Sequence, residues 1–315
     1  WYRIFVSRRK CPVHPMNTAS MDGKIEMQND RIVVLPVHEV SGNAELAEGN
    51  IDFRGDIVIH GNVESGVSIR ATGSITIDGV AEACMLEAGK DIILRGGMLG
   101  GNKASVKTKG AITAKFFEFT NILCEGDLQA DVLMDCSVIC HGQIRLTGRK
   151  GSIIGGKVQA IRGLIATSLG NDAEKRTEIF VGAGIDVYSR LRVMEKKIEM
   201  TREELAKIEE GLEKFEILSK ERGVSYTNDP RRTSLLRIKI KDSAMLASDE
   251  EEVRKLRILA ESSRGACVSV IQEIYPGVII NMDELKLALK NMATGVEFYK
   301  LPDKIGTRPC SAGVE

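Results

Sequence analysis

The chain has 315 residues, with 44 Lys+Arg against 44 Asp+Glu, 4% aromatics and 31 glycines. A balanced charge gives no electrostatic footprint for nucleic acid or an anionic membrane surface. No apolar run approaches the roughly 18 residues that span a bilayer.

Residues 1–50 form an irregular N-terminal segment with capping strands. The opening "WYRIFVSRRKCPVHP" puts its charges after its apolar residues, the reverse of a secretory signal. It also begins without Met, which fits a fragment or a processed form. Asp22 to Val40 reads as short strands, a hairpin-like cap or a first irregular coil. An open β-helix end needs such a cover.

Residues 51–185 carry the organising repeat. One template recurs seven times, beginning at Ile51, Ile69, Leu86, Val106, Ile122, Val138 and Val158. Its fifth position is usually Gly: Gly55, Gly73, Gly110, Gly126 and Gly142, with Lys90 and Arg162 as exceptions. Its seventh position is always Ile or Leu, from Ile57 to Leu164. The inner period of two marks strands with one buried face. The glycine marks a bend that needs either positive φ or close backbone approach. A coil of this length cannot bury its apolar face alone, so coils stack at about 4.8 Å. Seven such coils make a mainly β fold, a parallel right-handed β-helix about 34 Å long. A β-sandwich would need paired hairpin signals instead of one template in constant orientation.

Residues 186–264 change period. Leu191, Met194, Ile198, Thr201, Leu205, Ile208, Leu212 and Phe215 alternate spacings of three and four, the seam of a coiled coil. "GVSYTNDPRR" interrupts it, with Gly223 and Pro230 as breakers. A second helix follows from Thr233 to Ser262, with Val253, Leu256, Leu259 and Ala260 as its clearest apolar positions. The pair reads as an antiparallel coiled-coil helical hairpin inserted in the β-helix. Residues 265–315 return to strands that close the β-helix, with Tyr275-Pro276-Gly277 as a turn, and end in a tail.

These stretches carry a resemblance. "GNIDFRGDIVIHGNV", "GRKGSIIGG", "TEIFVG", a charged coiled coil and "IYPGVIIN" occur in that order. The chain resembles the bacterial flagellar assembly protein A family from about Asp22 to Tyr299. It is also similar, at the level of fold, to the β-helical domains of bactofilins and of the septum-site inhibitor of cell division. The resemblance implies a cytoplasmic protein with scaffolding or localisation roles linked to polar flagellar assembly. In one branch it implies a protein partner from the sugar-phosphotransferase system, bound unphosphorylated. The family usually carries a further N-terminal domain, which residues 1–20 do not match. It offers no catalytic residues.

Several motifs remain. "GRKGSIIGGK" holds the G-x-x-x-x-G-K spacing from Gly151 to Lys157. A phosphate loop needs a Ser or Thr after the Lys and a helix beyond it. Here Val158 follows and opens the seventh coil, so the stretch reads as a coil corner. Seven cysteines at irregular spacing do not form a disulfide framework, and a reducing cytoplasm suits them. Cys124 and Cys140 share one template position and should stack inside as small apolar residues. Cys136, Cys140, His141 and Cys124 lack the spacing of a zinc site, because Cys140 and His141 point to opposite faces. No cofactor and no metal is expected.

The outward template positions Asp52, Arg70, Glu87, Lys107 and Gln159 form no acidic ladder, so no enzyme is expected. Two coils are long, at "GGMLGGNK" and at "GRKGSIIGGK", and their extra residues are expected at the same place within each coil. Arg149, Lys150 and Lys103 there make a candidate protein-interaction edge. The function that follows is a non-enzymatic cytoplasmic scaffold acting through protein partners, with a homo-oligomer as one form. The alternatives are a carbohydrate-active β-helix enzyme and a polymer-forming cytoskeletal β-helix.

Overall fold

The computed structural model describes residues 23–310, apart from 29, 30, 147, 149, 224 and 228. The chain divides into two units. One holds Trp1–Gly182 and Gly265–Glu315, and the other is Ala183–Arg264.

The first unit is a parallel β-solenoid with three strand faces. The template's first position makes the first face. Ile51, Ile69, Leu86, Val106, Ile122, Val138 and Val158 stack in register, each beside the next. The stack runs on through Ile179 and Ile280. The seventh position makes the second face, from Ile57 through Ile75, Ile92, Ile112, Leu128 and Ile144 to Leu164, and then Val268. A third face has no template in the sequence. Ala81, Met98, Phe117, Leu133, Ile153, Leu169 and Ile274 stack along it. All of these except the edge residue Ile51 are buried, in one continuous core. Burying each Val, Leu, Ile, Met or Phe among them contributes about 1.5–3 kcal/mol.

The template glycines serve close approach. A Cβ on Gly73 would stand 2.7 Å from the Gly55 carbonyl oxygen, and one on Gly126 2.6 Å from that of Gly110. At these glycines a side chain would collide with the coil before, whereas Lys90 and Arg162 hold the same template position in two other coils. Apart from Gly55, at 156°, the template glycines lack positive φ, and a second set of corners, three residues before the template start, has it at Gly66, Ala83, Phe119, Asp135, Gly155 and Gly277. Just after the fifth template position, alternate coils carry an aspartate. The carboxylates of Asp56, Asp91 and Asp127 accept the backbone N–H of Ser74, Ala111 and Gln143 in the next coil, at 2.7, 2.8 and 2.7 Å. Charge-assisted bonds thus satisfy the donors that the corner leaves over.

The extra residues of the two long coils do not fall at the same place. Those of the third coil come after its third-face strand, between Leu99 and Ala104, where the register shifts. Those of the sixth coil come before its third-face strand, between Leu146 and Ser152. Coil length shows in the sequence, but the third face that separates the two corners does not.

At the N-terminal side, Lys24–Gln28 and Arg31–Leu35 pair antiparallel, and Val37–Val40 joins the second face. In the eighth coil the chain leaves the first face at Val181 and re-enters the second at Cys267. The strands Cys267–Ile274 and Val278–Met282 continue the parallel stack. Leu285–Ala288, Ala293–Lys300 and Ile305–Pro309 then pair antiparallel and close this end.

The second unit is a pair of helices, α1 (Gly184–Arg222) and α2 (Pro230–Ser262). The partners Glu195 with Arg257, Arg202 with Glu250 and Glu209 with Lys239 make the pair antiparallel. The α1 seam turns inward, with Ile198 and Thr201 buried and the other six positions half-buried. Opposite them, Val253 and Leu256 are buried, as is Asp249, whose Oδ2 lies 2.7 Å from Lys197 Nζ. Polar residues in the α2 seam, Lys239 and Asp249, explain why its apolar period is weak. Gly223 ends α1 in the left-handed region, a common helix stop. Pro230 does not break a helix but begins one. Asp229 caps it by accepting the Arg231 N–H at 2.8 Å, and Pro at the first position has no donor to lose. Among the described residues, no helix is long and apolar enough to cross a membrane.

Candidate interaction edge

The stretch that matches a phosphate loop by spacing lies between strands. Ser152–Ile154 and Gly156–Ala160 belong to the third and first faces, and no helix follows. Gly151, Gly155 and Gly156 all have positive φ, so its glycines make the corners. Lys157 points outward, with its Nζ 4.6 Å from the centre of the Phe180 ring.

Lys150 is exposed at the rim of a shallow hollow of about 270 Å³, beside Ser152, Ser168, Asn171, Asp172 and Tyr275. The Tyr275 hydroxyl donates to Glu273 Oε2 at 2.5 Å, and that bond holds its pKa above the usual phenol value. Lys103 is exposed on the extra residues of the third coil. Arg149 lies outside the described residues. Lys103 and Lys150 stand on different corners and three coils apart, so they do not share one edge.

A second hollow, of about 170 Å³, lies at the corner between the third and first faces. Asn102, Phe119, Asn121, Asp135, Ser137 and Lys157 line it. The sequence hinted at it only through the extra length at residues 100–103.

The thiols are interior packing. Cys124 pairs in register with Cys140, and both are buried. Each donates to a glycine carbonyl of the coil before, Cys124 to Gly110 at 3.4 Å and Cys140 to Gly126 at 3.2 Å. Contact with Cys124, together with burial, pushes the Cys140 thiol far up. Burial pushes Cys84 up to about 12 and, with the nearby Asp135 and Glu118 carboxylates adding to it, Cys136 to about 11. Raised in this way, the Cys84, Cys136 and Cys140 thiols are poor nucleophiles and poor metal ligands, whereas the contact with Cys140 lowers Cys124. Among the described residues, no three His, Cys, Asp or Glu side chains converge as a metal site would require.

Several outward acids are engaged with a cation or a histidine. Arg70 pairs with Glu87 at 3.0 Å and with Asp52 at 3.9 Å. His60 sits between Asp78, 2.8 Å from its Nδ1, and Glu39, 2.9 Å from its Nε2. Those two bonds, Glu39 first, raise its pKa above 6.5. On the third face Leu99 separates Glu82 from Glu118.

Stacked parallel coils, a closing antiparallel end and an inserted helical pair define a β-solenoid protein. The family model of the Flagellar Assembly Protein A (FapA) β-solenoid domain matches residues 36–305. The chain therefore belongs to that family, and its role is related to flagellar assembly. No curated protein and no solved structure matches the chain.

Proposed function

We propose that the protein is a non-enzymatic cytoplasmic scaffold that acts in flagellar assembly or polar localisation by binding a protein partner. The solenoid sets distance, and the helical pair, read as a coiled coil, recruits the partner or a second copy. One observation carries this reading. The helical pair closes its own seam yet leaves Val193 and Met200 on α1 and Ile238 and Met245 on α2 at 70, 56, 45 and 40% exposure. Each pair is seven residues apart, so each lies along one face of its helix. Large apolar groups outside the seam mark an interaction surface.

The alternatives have less support. A carbohydrate-active enzyme needs paired acids on one sheet, and the described acids are spaced apart or engaged with cations, histidine or backbone N–H groups. A polymer needs open parallel ends, and antiparallel strands cover the C-terminal one.

The test replaces Val193, Met200, Ile238 and Met245 together by Ser. The expected outcome is loss of partner capture, or of self-association in light scattering, with an unchanged circular dichroism spectrum. Undiminished capture and association would remove the helical surface from the account.

A further inference from the structure

We propose that the hollow between the third and first faces is a binding site for a neutral saccharide. Its floor is a ladder. Asn121, Ser137 and Lys157 are register neighbours on successive coils, about 4.8 Å apart. The side chains of Asn102, Asn121 and Ser137 make no hydrogen bond among the described residues. Two amides and a hydroxyl thus offer both donors and acceptors to a ligand.

The charges are already compensated. Asp135 is ion-paired with Lys175, from the long loop of the seventh coil. Lys157 lies over the Phe180 ring. Nothing in the hollow calls for an anion or a cation, so a neutral polyol fits best. Phe119 adds an aromatic ring on which the apolar face of a pyranose can rest, and the amides and hydroxyl meet its hydroxyls.

The backbone carries a second, independent sign. Asn102, Phe119 and Asp135 all have positive φ, at 61, 46 and 50°. Equivalent corners of other coils use Gly66, Gly155 and Gly277, and in one case the small Ala83. Glycine would be easier here, above all in place of a phenylalanine. Side chains kept in such positions around one hollow point to a use for them.

An extended peptide fits less well. Peptides dock on free strand edges, and the coils spend their backbone groups on one another. Hydrolysis is not implied either. It needs two carboxyl groups about 5–9.5 Å apart, and Asp135 is the one acid lining the hollow. The hollow is below the roughly 300 Å³ of ordinary ligand pockets, so it would take one ring of a longer chain.

The test titrates the full chain with uncharged trisaccharides, namely cellotriose, xylotriose, maltotriose and chitotriose, by calorimetry and ligand-observed NMR. At least one should bind. Asn121→Ala and Ser137→Ala should each weaken it by about tenfold, the effect of one good contact. Phe119→Gly should abolish binding while Tm holds or rises. If that variant fails to fold, the exposed Asn121 still decides. The proposal is overturned if no sugar binds at about 10 mM. It is also overturned if binding survives Asn121→Ala unchanged, or if trigalacturonate binds more tightly than every neutral sugar.

Discussion

The solenoid and the helical pair solve the same problem in opposite ways. In the solenoid, backbone groups find their partners in the next coil, so neighbouring coils touch closely and five of the seven template corners are glycine. In the helical pair, backbone groups are satisfied within each helix, and only the seam between the two is constrained. One unit therefore tolerates little change at its corners. The other tolerates polar residues even at seam positions, as Lys239 and Asp249 show.

The largest break of this contrast is at a solenoid corner. Gly126→Ala should cost about 3 kcal/mol, because its Cβ meets the Gly110 carbonyl and two coils must part. Urea denaturation measures this, and a loss under about 0.5 kcal/mol, the size of an ordinary surface change, would show that the corners are not tight. At the helical pair the sign should reverse. Asp249→Leu should raise the stability of that unit by about 1 kcal/mol, since a buried carboxylate gives way to apolar packing while its half-exposed partner Lys197 stays in water. A loss of about 3 kcal/mol would instead show that the Lys197–Asp249 pair holds the helices together.

The smallest effect concerns pH. The folded pKa of His60 lies above 6.5, so protonation is favoured in the folded state. Its contribution is complete below pH 6.5 and disappears as pH rises past the folded value. NMR titration should place His60 above the ordinary imidazole value of about 6.5, and Tm should fall slightly across that window. In His60→Gln this part of the pH dependence should vanish.

Much of the solenoid is legible in the sequence, because its inward positions repeat residue type as well as spacing. The first face shows as Ile51 to Val158 and the second as Ile57 to Leu164. The third stayed hidden because Ala81, Met98, Phe117, Leu133 and Ile153 share a place but not a type. That gap put the two long coils' extra residues at one corner when they occupy two. The eighth coil was masked by the helices between Val181 and Cys267. The template glycines left positive φ and close approach both open, and only coordinates decide between them. The site was less legible. Lys103 and Lys150 stood out as basic loop residues, yet they lie on separate corners. The ladder of Asn121, Ser137 and Lys157 is made by stacking, which no local pattern spells out.

The central claim is that the solenoid is a spacer and the helical pair the recruiting arm. The most direct test is affinity capture from the native host with the full chain and with a version lacking residues 186–264. Thermal melting and circular dichroism should first show that the solenoid is intact. The account predicts that the shortened protein keeps its β spectrum and loses the partner. A partner captured equally by both would contradict it and move recognition to the solenoid.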